Sequence, residues 1–329
     1  MKHENVRVRV IANYNIEDFI EKMTPNGSRS FNNVIFGTDI NNPDAVLVIN
    51  YPNKTVKLET YKEMIYLLFQ EPGNFFYTPY MHYVSRTYSK VFTHVDPLFA
   101  NRSKRQKVFI GPVFLPWHIE KNYDDLVNMK KPDKPKKLSC ISSNKKSLPG
   151  HILRYKFVNY LIEKKLECDY YGKGMNFVKD KFDALSKYKY SIAIENCSKK
   201  DYFTEKLTDC FLSYTVPIYY GCTNLKNYFP ENSFIQIDIR DKEKAYKKIV
   251  EIINNDNYES RIQALEKARE LVLKKYNLFY HFSSVISDQF KMIDSTRTTV
   301  IIKKPSRFYS FSNNFLKILY KSFIIVRGG

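Results

Sequence analysis

Short apolar runs alternate along this chain with stretches whose apolar residues recur every three or four positions. In the first half the runs are Val6–Ile11, Val34–Phe36, Ala45–Ile49, Met64–Phe69, Lys90–Thr93 and Lys107–Ile110. Several are continuous β-branched or aromatic segments, the pattern of strands covered on both faces. The second half repeats the alternation. Leu138–Ser142 reads as a strand, and Leu148–Lys165 as a helix with Ile152, Tyr155, Val158 and Leu161 on one face. Asp169–Tyr171, Tyr190–Ile194, Pro217–Tyr220 and Phe234–Ile237 read as strands, Lys242–Asn254 and Tyr258–Lys274 as helices. Such alternation predicts α/β architecture with largely parallel sheets. Between the halves, Met129–Lys137 (MKKPDKPKK) makes a poor core element and a plausible exposed linker. The expected division is an N-terminal Rossmann-like domain over 1–130, a second over 131–294, and a tail over 295–329. Two such halves facing across a cleft would bind ligands beyond the C-terminal ends of their strands.

Composition narrows the class. A chain of 329 residues can bury two cores, and 43% hydrophobic with 16% aromatic content excludes a mainly disordered chain. The five cysteines (Cys140, Cys168, Cys197, Cys210, Cys222) are odd in number and scattered, which fits reduced thiols better than a disulfide framework or a zinc site. The start MKHENVRVRV does not look like a signal peptide, and no run is long enough to span a membrane. The expected location is therefore cytoplasmic. Net charge is +19, which implies an anionic partner: nucleic acid, an anionic membrane face or a phosphorylated substrate. The tail is the most one-sided part. After Asp294 no acidic residue occurs, while Arg297, Lys303, Lys304, Arg307, Lys317, Lys321 and Arg327 follow. Phe308, Phe311, Phe315, Leu316, Leu319 and Phe323 recur there at helical spacing, as in a basic amphipathic helix on an anionic membrane surface or a terminal helix packed on the body.

The most informative segment is Glu195–Leu207, ENCSKKDYFTEKL. The strand pattern YSIAI runs straight into Glu195-Asn196. A short basic loop follows, then a first helical turn at Tyr202–Leu207, and then a second strand, VPIYYG. A strand that ends in polar residues beside a helix N-terminus suits phosphorylated ligands, because unpaired backbone N–H groups and the helix dipole favour anions. Lys206 adds a full positive charge there. No Gly-x-Gly-x-x-Gly or P-loop is present, so dehydrogenase and kinase readings lack their signature.

This segment closely resembles the nucleotide-sugar motif of the α-1,3/4-fucosyltransferases, glycosyltransferase family 10: aromatic-Glu-Asn-Ser, a short gap, then Asp-Tyr-Val-Thr-Glu-Lys. The resemblance covers most of 137–242, and more weakly 45–116. It implies a GT-B fold and inverting transfer of fucose from GDP-fucose to a glycan hydroxyl, for example an α-1,3 linkage to GlcNAc of a surface polysaccharide or lipopolysaccharide. It also implies that Lys206 and Arg154 neutralise the departing diphosphate, and that Glu205 accepts hydrogen bonds from ribose hydroxyls. Tyr202 and Asn196 would lie near the donor phosphates and fucose. Glu71, just after an N-terminal strand, would be the base that takes the acceptor's proton. Cys197 stands where the family has Ser, which weakens any hydrogen bond through that side chain.

With no Asp-x-Asp and no paired His or Cys spacing, protein cations are expected to fill the role of a metal, so no cofactor is expected. The expected partners are GDP-fucose, an oligosaccharide or glycolipid acceptor, and an anionic membrane surface under the tail. Alternatives are a GT-B enzyme using another nucleotide sugar, a basic nucleic-acid-binding protein, and a membrane-associated glycan-binding protein without catalysis. Acceptor identity and oligomeric state stay open.

Overall fold

A computed structural model describes residues 5–70, 87–94 and 107–304. It divides the chain into two compact units: Met1–Ile20, Arg29–Val113 and Phe282–Gly329 form the first, Glu21–Ser28 and Phe114–His281 the second.

Unit 1 is built on strands β1 (Val6–Ala12), β2 (Ser30–Phe31), β3 (Val34–Gly37), β4 (Ala45–Ile49), β6 (Ile65–Leu68), β7 (Lys90–Thr93) and β8 (Val108–Ile110). They form one sheet in the order β2-β3-β1-β4-β6-β7-β8, parallel throughout except for the short β2–β3 pair. Every residue of β4 and β6 is buried, as the unbroken apolar runs require of inner parallel strands. A separate two-stranded ribbon pairs β5 (Val56–Thr60) with β14 (Thr298–Ile302), antiparallel. Leu58 and Ile302 point from it into a cluster with Val46, Val48, Ile65, Leu67 and Val91.

Unit 2 holds a five-stranded, all-parallel sheet in the order β10-β9-β11-β12-β13. Its strands are β9 (Lys136–Ile141), β10 (Asp169–Tyr171), β11 (Tyr188–Ile194), β12 (Val216–Tyr220) and β13 (Ile235–Gln236). In the order of their appearance in the chain they stand 2-1-3-4-5, so the sheet reverses direction of growth between β9 and β11. The helices of both units are numbered in chain order. Those described are α1 (Glu17–Lys22), α2 (Tyr123–Asn128), α3 (Pro149–Glu163), α4 (Glu205–Leu212), α5 (Lys242–Asn255), α6 (Ile262–Leu273) and α7 (Leu278–Phe290). Local chemistry sets several starts: Asn122 and Asp125 form a capping box on α2, Thr204 caps α4, Asp241 caps α5, and Asn277 accepts from the Phe279 and Tyr280 amides to open α7.

The compact units are cut differently from the division drawn at the lysine-proline segment. That segment lies inside unit 2, because Lys134 reaches into it and donates to the Ser213 carbonyl at 2.7 Å and to Thr215 Oγ1 at 3.0 Å. Burial pulls the Lys134 ammonium down to about 7. Residues 114–130 also belong to unit 2, and the chain from Phe282 onward belongs to unit 1. The start of the tail is likewise not separate. Arg297 pairs with Asp44, Ser295 donates to Glu63 at 2.9 Å, and β14 closes the ribbon with β5. The amphipathic stretch from Phe308 to Phe323 lies outside the described residues.

Candidate functional site

The reversal point of the unit 2 sheet gathers the polar residues that end its strands. Ser142 and Ser143 follow β9, Glu195 and Asn196 follow β11, and Gly221 follows β12. In open parallel sheets this is where ligands bind. The N-terminus of α3 comes down directly on the end of β11. A Cβ on Gly150 would lie 1.5 Å from the Asn196 carbonyl oxygen, so only glycine fits. Pro149 at the first turn has no N–H to leave unsatisfied. One turn on, Arg154 bridges both strand ends: Nη1 donates to Asn196 Oδ1 at 2.9 Å, and Nη2 to Ser143 Oγ at 2.9 Å. Arg154 is only 5% exposed, and its buried Nε–H has no acceptor among the described residues. A guanidinium held this way keeps a donor available for an anion.

The second half of the site is the start of α4. Glu195 is fully buried, and its Oε1 accepts from both the amide and the hydroxyl of Thr204, each at 2.8 Å. Tyr219 donates to the same oxygen at 3.4 Å, and Lys206 Nζ stands 3.4 Å from Oε2. A Cβ on Gly221 would come within 2.4 Å of both the Glu195 and Tyr219 side chains, so this packing too demands glycine. Lys206 Nζ also donates to Glu205 Oε1 at 3.1 Å. Two further cationic or basic groups converge on Glu205: Lys181 Nζ at 3.6 Å and His118 Nδ1 at 3.9 Å. Lys181 stands equally 3.6 Å from Asp209 Oδ2, and Asp209 Oδ1 accepts from the His118 amide at 2.9 Å.

These contacts set the charge states. Burial works against ionised Glu205, but Lys206, Lys181 and His118 outweigh it and hold its carboxyl far below the usual range. Burial likewise opposes the Lys206 ammonium, and Glu195 and Glu205 more than restore it. For Glu195 burial dominates and pushes the carboxyl up despite Lys206. Burial raises Asp209 to about 6 and lowers His118 to about 4, which leaves the imidazole neutral at pH 7. Burial also pulls Arg154 down from its ordinary value, with Glu195 and Glu205 opposing.

Of the residues expected from sequence, Arg154, Asn196, Glu205 and Lys206 are brought into one constellation. Tyr202 is 3% exposed and lies within electrostatic reach of Tyr219, so its ring is a core side chain in the ligand-free chain. Glu71 lies outside the described residues. Cys197 is a free thiol that burial raises to about 11. Sequence reasoning missed Glu195 as a brace for Lys206, although it begins the motif, and it missed Ser143 as the second seat for Arg154. It also missed Lys181 and His118, which come from separate segments with no shared spacing signal, and Asp209, one turn after Glu205 on α4.

The fold is of the GT-B class. A solved α1,3-fucosyltransferase with GDP superposes with a TM-score of 0.53 over 89% of this chain and 92% of that one, at 16% identity. The same enzyme type with GDP-fucose gives 0.51 over 89% and 92%, also at 16% identity. The likeness at this identity is one of fold. Residues 131–268 match the family model described as glycosyltransferase family 10 (fucosyltransferase), C-terminal. The human 4-galactosyl-N-acetylglucosaminide 3-α-L-fucosyltransferase 9 is 33% identical over 131 residues, 38% of this chain and 35% of that protein. The α-(1,3)-fucosyltransferase FucT of Helicobacter pylori is 38% identical over 60 residues, 18% of this chain and 13% of that protein. The chain thus matches only about a third of the length of the human relative. Over its donor-site half, this chain resembles the α-1,3/4-fucosyltransferase family, as the Glu195–Leu207 motif implied.

Proposed function

We propose that this protein transfers fucose from GDP-fucose to a glycan hydroxyl with inversion, using protein cations rather than a metal. The observation that carries this reading is Arg154, clamped across the β9 and β11 ends with Nε–H unclaimed at the N-terminus of α3. A diphosphate placed there meets the guanidinium, the Lys206 ammonium and the positive end of a helix dipole. Charge that develops on the leaving group is offset in place, so no general acid is needed. Glu205, kept ionised by its cationic neighbours, is ready to accept hydrogen bonds from the ribose. Asn196 seats Arg154, and Glu71 is the base that deprotonates the acceptor.

The fucosyltransferase relatives support the donor, and the human relative's name supports an N-acetylglucosaminide acceptor and a 3-linkage. In this reading the acceptor is a surface polysaccharide or lipopolysaccharide, reached by a cytoplasmic enzyme whose basic tail rests on an anionic membrane. The test is GDP release from GDP-fucose in the presence of EDTA and an N-acetyllactosamine acceptor. Transfer under EDTA that disappears on Glu71→Ala, with GDP binding intact, is the expected result. Strict dependence on added Mn²⁺ overturns the metal-free mechanism. Turnover of a UDP-sugar in place of GDP-fucose overturns the donor.

A further inference from the structure

Glu205 is held from one side only. Lys206, Lys181 and His118 all make their closest approach through Oε1, at 3.1, 3.6 and 3.9 Å. A carboxylate with one oxygen hydrogen-bonded to Lys206 and approached by two further basic groups keeps its other oxygen as the acceptor for a ligand. Of the three, Lys206 is shared with Glu195 and with the site's anion function. Lys181 has no such second duty. Its other recorded ion pair is Asp209, a side chain with almost no exposure that also receives the His118 amide.

Asp209 therefore anchors both groups that approach Glu205 from outside α4: Lys181 through its ammonium, and the His118 loop through its backbone. Lys181 itself is placed by a short 3₁₀ turn, Lys181–Ala184, whose cap Asp180 accepts from the Phe182 amide at 2.9 Å and from the Glu120 amide at 2.9 Å. The turn and the loop that carries His118 are thus tied together twice, once at Asp180 and once at Asp209. Neither Lys181 nor Asp209 makes a hydrogen bond or ion pair with Arg154 among the described residues.

We infer that Lys181, anchored by Asp209, is a positioning residue that fixes Glu205 for a vicinal diol and so sets the site's preference for ribonucleoside over dideoxyribonucleoside diphosphates. This rests on the donor-site reading above, since it assigns the sugar end of the same nucleotide. Diphosphate contacts are left to Arg154 and Lys206, so loss of Lys181 should spare them.

The experiment is titration calorimetry of the full chain with GDP and with 2′,3′-dideoxy-GDP. The wild type should prefer GDP by about tenfold, the worth of a charge-assisted hydrogen bond to the diol. Lys181→Met, at a side chain 31% exposed, should keep its affinity for the dideoxy nucleotide and lose most of the preference. Lys181→Arg should restore part of it. Asp209→Asn keeps an acceptor for the His118 amide while removing the anchor's charge, and should give an intermediate ratio. An unchanged ratio in Lys181→Met, or equal weakening of both nucleotides, overturns the positioning role while GDP binding still upholds the site. A wild type that binds neither nucleotide overturns the donor-site reading itself.

Discussion

The two sheets share a plan and differ in what stands at its switch point. In unit 1 the parallel strands, taken in chain order, run 2-1-3-4-5-6, with the reversal between β1 and β4. Among the described residues, those just beyond β1, β4 and β6 are neutral. Asn50 Nδ2 donates to Asn13 Oδ1 at 3.0 Å, the Gln70 amide donates to Asn50 Oδ1 at 2.8 Å, and Tyr14 donates to Gln70 Oε1 at 2.9 Å. In unit 2 the same location carries Arg154, Lys206, Glu195 and Glu205. One topology thus offers two chemistries. Among the described residues of unit 1 these side chains pair donor to acceptor and carry no charge. The cluster of unit 2 balances cations against buried carboxylates, which keeps the Lys206 ammonium charged.

Breaking the charged half should have the largest effect. Lys206→Ala is expected to weaken GDP binding about 100-fold, since it removes one of two cations from the diphosphate and leaves Glu195 and Glu205 facing it. Calorimetry with GDP measures this, beside a thermal midpoint that checks the fold, and unchanged affinity would strip Lys206 of its phosphate role. The neutral half should answer differently. Asn50 adopts φ 59°, a left-handed conformation that Asn tolerates better than Ala, and its side chain links Asn13 to the Gln70 amide. Asn50→Ala should cost about 2 kcal/mol of stability in urea titration while leaving GDP affinity alone. A loss of GDP affinity would erase the contrast between the two switch points.

The smallest effect sharpens the boundary of unit 2. Lys134 titrates near 7 in the folded chain because it is buried, against 10.5 when unfolded. The unfolded chain therefore holds more protons between those values. The Lys134 contribution to stability is least favourable below pH 7 and improves as pH rises toward 10. Lys134→Met should flatten that slope in thermal midpoints measured across the range. A slope that survives the substitution assigns the titration to another group and frees the segment to be the linker its composition suggested.

Much of this was legible in advance because it depends on neighbours in the chain. Buried parallel strands such as Ala45–Ile49 and Tyr190–Ile194 announce themselves as largely apolar runs. The start of α4 is written in Thr204-Glu205-Lys206, with a capping hydroxyl and an acid in the first turn. What could not be read locally was missed for that reason. The pair β5–β14 joins residues more than two hundred positions apart, and the tail's TTVII looked like part of a basic extension until Ile302 was seen buried. Lys134 sits in a run of lysines and prolines, and only its carbonyl acceptors distinguish it from them.

By itself the sequence determined the alternating architecture and the motif with its helix start, because periodicity and capping act over a few residues, while the family resemblance of that motif singled out Arg154, Glu205 and Lys206 as candidate donor-site residues. Only the tertiary structure decided which side chains share one charge cluster. Arg154 meets Asn196 and Ser143, and Lys181 stands between Glu205 and Asp209, because the folded sheet and its loops carry distant segments to one edge. Coulomb energy at a few ångströms depends on that convergence and on the burial around it, and neither is encoded in spacing along the chain.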